Sequence, residues 1–306
     1  MHFENIKLEI FSYAVSEVYA ITFFVTYMRV QLSITSGKMY FDNQQGNSTK
    51  LESNDSSLLA DSNSSYSMFL QLLENYHQFG VEHIVTHVRK VVRECFENMS
   101  VTEKVTIRNV LDVLEKVKTT MAASYSSLIE ENAAIVFSSN KEHLTSEELN
   151  SQSKVFNEMK RCSKMIDEML DIVKIADFAK VIDHCTSIGF SNLYDFISEC
   201  FMKFGNETIN GGHPNEQSFL QERQFINPNQ IVIPLVKLLP EIWRQLNQSA
   251  QGSCVNGHTV SFEFNDAKKN RNSLLVQFLL RSDSLTCFSA NIYEAFCNEN
   301  DVAKIL

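Results

Sequence analysis

An all-α fold is predicted by three features of the sequence. Only 9 Gly and 4 Pro fall among 306 residues, which leaves few turn-formers for a sheet-rich chain. Apolar residues recur along most of the length with the period of a helix that buries one stripe. The chain also opens on a long apolar run, Phe3 to Ile34, that contains neither Pro nor Gly. Together these predict a single elongated helical bundle built around a long apolar first helix.

In the opening run Ile6, Ile10, Tyr13 and Ala14 stand at helical spacing and predict one buried stripe. From Val18 to Met28 only Thr22 and Thr26 interrupt the apolar residues. A helix apolar on all sides is either a membrane span or the central rod of a helical domain. The run reaches about half of the ~20 residues a span needs. Ser12, Ser16 and Glu17 occupy the positions into which it would extend. The expectation is therefore a central rod, with no segment meeting the spanning requirement.

After the rod, Gly37 to Asn43 reads as a turn with a short extended or helical piece, and about 44–65 as a polar surface loop. A helix is expected from Tyr66 to Phe96, with Phe69, Leu73, Tyr76, Ile84, Val88, Val91 and Cys95 on one face. Gly80 falls on that face, where it allows close packing or a bend at a cost of ~1 kcal/mol. Ser100 with Glu103 has the pattern of a capping box. It is expected to open a third helix carrying Ile107, Val110, Leu111, Leu114, Val117 and Met121, to about Ser126.

A mixed loop to His143 follows. Thr145 with Glu148 is a second capping-box pattern, opening a long helix through Leu149, Phe156, Met159, Ile166, Leu170 and Val173. Asp177 caps a continuation from Phe178 to Cys185 that Gly189 ends, and Phe190 to Phe204 forms the next helix. A polar loop over about 205–230 leads to the apolar stretch Ile231 to Leu246. Pro234 suits a first helical turn there. Pro240 is expected to kink or break the helix, because its ring removes a donor and crowds the preceding turn. A third polar loop, about 247–270, precedes Leu274 to Leu280, and the last helix carries Phe288, Ile292 and Phe296. No repeat and no linker divides the chain, so residues 1–306 are read as one helical domain.

Composition narrows the function. A net charge of −10 leaves no clustered basic face for nucleic acid and no polybasic segment for an anionic membrane. The 7 cysteines are scattered, with no Cys-x-x-Cys, and most stand in apolar helical context as small buried hydrophobes. Asn-x-Ser/Thr sites, among them Asn47, Asn63, Asn98, Asn206 and Asn247, occur with no signal peptide expected to route them to glycosylation. His83 and His87 have the spacing of two ligands on one helix face. Ile84, however, replaces the Glu of a zinc protease, and no third ligand is suggested. His184-Cys185 lacks an orienting group and reads as a packing position. Carboxylates such as Glu147, Glu148, Glu158, Asp167 and Glu168 mark solvated helix faces. No phosphate loop, nucleophile elbow or dinucleotide fingerprint is present. A protein that is not an enzyme and holds no metal or other cofactor is expected, one that lends an apolar groove to a partner helix.

Four stretches, in order, resemble the peroxin-3 family. Tyr27 to Ile34 followed by Tyr40-Phe41-Asp42-Asn43 is similar to its "RVQLNI…YLDN" region. Asp177-Phe178 through Cys185 to Gly189-Phe190-Ser191 is similar to "DF…C…GFS". Ile233 to Pro240 is similar to "LPLAKIIP", and Ala290 to Phe296 to "ANVYEAF". The resemblance implies an all-α domain on the cytosolic face of the peroxisomal membrane. Its implied task is to dock peroxin-19, the carrier of newly made peroxisomal membrane proteins, through an amphipathic helix. By the same alignment Phe3 falls where the family usually has an exposed Trp, Ile6 on a neighbouring groove position, and Lys237 on the groove-edge lysine. Ile10 and Ile233 are taken with them as groove residues.

Phe3 lacks the indole donor and some area of a Trp, so docking is expected to be weaker or differently tuned. Standing near Met1, it is also where fraying is expected. The family carries a tail, a membrane anchor and further helical sequence ahead of the point matching Met1. The sequence as given lacks these and is expected to be soluble by itself. The alternative reading is a lipid-binding helical domain that takes a membrane lipid in its groove.

Overall fold

The first helix, α1, runs unbroken from His2 to Thr49 and reaches well past the turn expected at Gly37. In the computed structural model, residues 2–49, 58–138, 154–209, 227–250 and 271–298 are described. The later elements are α2 (Leu58–Gln71), a π-helical turn (Tyr76–Gly80), α3 (Val81–Phe96), β1 (Lys104–Thr106), α4 (Ile107–Ala122) and α5 (Tyr125–Ser138). There follow α6 (Lys154–Lys174), α7 (Ala176–Ile209), a 3-10 turn (Pro228–Gln230), β2 (Val232–Pro234), α8 (Leu235–Ala250), α9 (Arg271–Leu280) and α10 (Asp283–Cys297). The all-α expectation holds, with one pair of three-residue strands added to it.

α1 corrects the expectation that no segment is long and apolar enough to span a membrane. Between Phe3 and Gln44 it holds an 18-residue window of mean hydropathy 1.4, which passes by length and composition. The window is 61% buried inside the protein, as a core helix is.

The described chain divides into two compact units, each made of three chain segments. One comprises Met1–Tyr19, Val85–Ala123 and Ser187–Gln277. Its core is built on Phe11, Ala14, Val15 and Val18 of α1, with Phe11 stacked on Phe96 at 4.3 Å and Tyr19 edge-on to Phe190 at 5.9 Å. β1 and β2 pair antiparallel within it, with Val105 opposite Ile233.

The capping box of α4 is formed by Thr106 and Asn109, not by Ser100 and Glu103. Glu103 instead closes a turn, its N–H donating to the Ser100 carbonyl at 3.1 Å, and the strand pairing claims the residues that follow. α7 passes straight through Gly189, where a stop was expected. A Cβ at that position would stand 2.5 Å from Cγ1 of Val18, so the glycine serves close helix packing. α8 likewise continues through Pro240. Burial of Leu235, Leu238, Leu239, Ile242 and Leu246 holds both sides of the proline in register and outweighs the one donor it removes. Arg271 pairs with Glu17 and lies 4.7 Å over the Phe196 ring, and its burial lowers its pKa to about 10.

The other unit comprises Ala20–Ile84, Ser124–Thr186 and Phe278–Leu306. Tyr27 is its aromatic centre, ringed by Phe23, Tyr76, Phe137 and Phe178 at 5.6–6.1 Å between centroids. The Tyr76 hydroxyl donates to the Ala20 carbonyl at 2.6 Å and the Gln31 amide to that of Phe69 at 2.6 Å. Lys38 pairs with Glu168 at 2.8 Å and lies 4.9 Å from the Phe296 ring centre.

Gly37 meets α10 here. A Cβ would stand 2.7 Å from the Phe296 Cβ and 2.7 Å from the Tyr293 carbonyl oxygen. The expected polar loop at 44–65 is helical at 44–49 and again from Leu58; its middle, 50–57, lies outside the described residues. The expected mixed loop before His143 is α5 as far as Ser138, with Leu128, Ile129, Ala133, Val136 and Phe137 buried. The second capping box, Thr145 with Glu148, lies outside the described residues, as does most of the loops at 205–230 and 247–270.

Candidate functional site

The first turns of α1 are fastened to the segment that follows α3. Lys7, buried, donates to the carbonyl of Phe96 (3.0 Å), the last residue of α3, and to that of Met99 in the turn that follows. Its ammonium also pairs with Glu4 at 2.7 Å. Glu4 in turn accepts the Val101 N–H at 3.0 Å. The Lys7 hydrogen bond and then this amide hold the Glu4 carboxyl below its usual value. Arg89 adds a surface pair to Glu9 at 2.8 Å.

Val101 also fastens α8. Its carbonyl accepts the Val236 N–H at 2.8 Å, and the Glu103 carbonyl accepts that of Leu235 at 2.9 Å. One residue thus joins the start of α1, at Glu4, to the start of α8, at Val236. Further along, Tyr13 of α1 and Trp243 of α8 meet edge to face at 6.0 Å. These two links lie nine residues apart on α1 and seven on α8, so the two helices run side by side in the same direction.

The flanks they present are apolar. At 100° per residue, Ile6 and Tyr13 differ by about 20° around α1, while Ile10 lies about 40° from Ile6 and about 60° from Tyr13, turned into the core. On α8, Val236, Pro240 and Trp243 fall within about 60° of one another. Phe3 is 58% exposed, Trp243 44% and Tyr13 41%, while Ile6 and Val236 are half-buried. Lys237 is exposed at the edge of the α8 flank, and no described residue takes its ammonium.

The Peroxin-3 family model matches residues 72–295, and this span includes α8 and most of α10. The chain belongs to the peroxin-3 family. It is 24% identical to peroxisomal biogenesis factor 3 of Rattus norvegicus over 304 residues, 98% of this chain and 72% of that protein. The Bos taurus protein is 23% identical and the Homo sapiens protein 22%, each over 312 residues and with the same coverage. Membership gives the chain a role in peroxisome biogenesis, with the peroxisomal membrane as its place and peroxisomal proteins as its company.

Within this chain the five expected groove residues separate by burial. Phe3, Ile6 and Lys237 reach the surface. Ile10 is 4% exposed and Ile233 2%, so both form the floor of the core beneath that surface. Ile233 is held there by its place in β2, opposite Val105. Tyr13 is corrected in the other sense: it was expected on the buried stripe and stands at its outer edge. Trp243 was overlooked, although a solitary Trp seven residues after Val236 is the signal that could have found it.

The positions weighed for chemistry have other occupations. His83 contacts Glu131 at 3.3 Å. His184 is exposed, whereas Cys185 is buried and its thiol pushed up to about 11, so the pair does not act together. Burial likewise raises Cys162 to about 11 and Cys200 to about 12. Among the described residues no three His, Cys, Asp or Glu side chains converge. An open groove of about 600 Å³ lies in the Tyr27-centred unit, lined by Phe24, Met39, Leu70 and Leu73 with Tyr66 and His77.

Proposed function

We propose that this chain is the docking site for peroxin-19 on the cytosolic face of the peroxisomal membrane. There it receives carried membrane proteins for assembly and import, as one helical domain that binds and does not catalyse. The observation that supports this best is the clamped first turn of α1. It holds exposed Phe3, with Ile6 one turn on, and Val101 ties that turn to the start of α8, which carries the exposed Lys237. An aromatic ring with an aliphatic neighbour is the usual anchor for an amphipathic helix. A rim lysine selects an acidic residue on that helix and raises the association rate more than the affinity.

A synthetic peroxin-19 N-terminal helix titrated against the chain tests the reading. Saturable binding is expected, weakened by about 2 kcal/mol in Phe3→Ala, the scale of an aromatic hot spot. Lys237→Glu is expected to slow association and to reverse its salt dependence. Absence of saturable binding by the parent chain overturns the function. Equal binding by all three proteins overturns the site. The lipid-binding alternative has its own support in the apolar groove lined by Phe24, Met39, Leu70 and Leu73. Co-sedimentation with neutral liposomes that Met39→Asp abolishes, in the absence of any peroxin-19 binding, favours it.

A further inference from the structure

We infer that Tyr13 and Trp243 form a second aromatic anchor, two helical turns along the docking surface from Ile6. It takes an apolar residue of the partner helix seven positions from the one seated at Phe3 and Ile6. This inference rests on the docking function proposed above and extends its site. Three observations carry it. The pair is exposed although aromatic, and its two rings come from the two helices that border the surface. α1 is unbroken from His2 to Thr49, so the seven residues from Ile6 to Tyr13 give an offset of about 10.5 Å, two turns. Between them Ile10 is buried and offers no competing foothold. The pair and the Phe3 and Ile6 site thus lie along the same two helices, with exposed Glu9, paired to Arg89, between them, over a length that suits three turns of a partner helix.

Trp243, the chain's single Trp, supplies a large, rigid aromatic contact further along α8 from Lys237. The partner that fits is an amphipathic helix with apolar anchors at i and i+7 and an acidic residue aimed at Lys237. Trp243 is then a specificity-determining residue, because a helix with anchors only one turn apart reaches Phe3 and Ile6 but not the ring pair.

Trp243 is its own reporter. A tryptophan-free peroxin-19 N-terminal peptide is titrated against the full chain while Trp243 emission and acrylamide quenching are followed. A fluorescein-labelled copy gives the affinity by anisotropy. Saturation is expected to shift the emission to the blue and to reduce quenching at least twofold. Trp243→Ala is expected to weaken binding at least tenfold, and Trp243→Phe to stay within about threefold of the parent. Saturable binding with emission and quenching unchanged overturns the anchor and leaves the docking function standing. A shifted emission with Trp243→Ala binding as tightly as the parent overturns it as well. Absence of saturable binding overturns both readings together.

Discussion

Gly37→Ala places two effects of opposite sign in direct competition. In an exposed helix interior the exchange gains about 1 kcal/mol of helix propensity. Here the new Cβ meets the Phe296 Cβ and the Tyr293 carbonyl oxygen, both at 2.7 Å, with the Phe296 carbonyl carbon at 3.2 Å. None of these atoms belongs to the far end of a flexible side chain, so no rotamer change relieves the clash. Restoring ordinary contact at 3.4 Å needs α10 to withdraw by about 0.7 Å (3.4 less 2.7). That withdrawal also loosens the Lys38 contact with the Phe296 ring, now at 4.9 Å. Overpacking of this kind costs about 1–3 kcal/mol, and a clash with backbone takes the upper end. The net expectation is a loss of about 2 kcal/mol, or roughly 4 °C or more in melting midpoint. Urea unfolding followed by circular dichroism measures it. Ser36→Ala, one residue earlier and exposed, is the control and should gain a few tenths of a kcal/mol. A Gly37→Ala protein as stable as Ser36→Ala refutes the argument that close approach, not chain flexibility, is why glycine stands there.

Three further outcomes follow from the packing and the clamp. Lys7→Met takes a donor from the buried carbonyls of Phe96, which keeps the Met99 N–H, and Met99, so a loss of about 1–2 kcal/mol is expected in urea unfolding. A neutral or stabilising result would mean that desolvation of the ammonium outweighs its bonds. Because the Glu4 carboxyl is held below its usual 4.5, the folded chain binds fewer protons there than the unfolded one. Its contribution is complete above about pH 4.5 and is lost as pH falls through the depressed value. The Val101 amide should therefore lose hydrogen-exchange protection on acidification in the parent, and show no such step in Glu4→Gln. Peptide mapping after brief treatment with iodoacetamide at pH 8 should find exposed Cys287 modified. Cys162, Cys185 and Cys200, whose thiols burial raises to about 11, 11 and 12, should be spared until the chain unfolds.

The sequence carried the helical class and most of the core, because period and apolar content are local quantities. Val88, Val110, Leu114, Val117, Ile166 and Ile292 are buried as their spacing required. Boundaries failed where a local signal competed with packing. Gly37 and Gly189 look like stops in one dimension, and only the facing Phe296 and Val18 reveal that each marks a close helix crossing. Ser100 with Glu103 and Thr106 with Asn109 are both plausible caps. The choice fell to the second because β1 needs Lys104 to Thr106 for its pairing with β2. Of the residues the alignment marks for the proposed docking surface, Ile10 faces the core and Ile233 is locked by strand register. Tyr13 and Trp243 come from segments 230 residues apart, so no window of sequence joins them.

The clamp at the start of α1 bears on how the proposed docking surface would bind. Phe3 stands near Met1, where fraying is the ordinary expectation. Lys7 and Glu4 together contribute four polar links within the first two turns, counting the pair between them. All of these reach the 96–101 segment or each other, and that same segment receives the first turn of α8. The exposed ring is thus carried on backbone whose ordering is completed by folding and need not be repeated on binding. For a helix anchored by a few aromatic contacts, ordering a loose turn would consume much of the gain, at about 1–2 kcal/mol per residue fixed. Loss of the Lys7 clamp should therefore weaken binding at the proposed site even though Lys7 is buried. Lys7→Met and Phe3→Ala should then be less than additive in affinity, because the first releases the turn on which the second acts. Strict additivity in a double-mutant cycle with the peroxin-19 peptide would show that the two act independently, and that the turn is ordered by the partner instead.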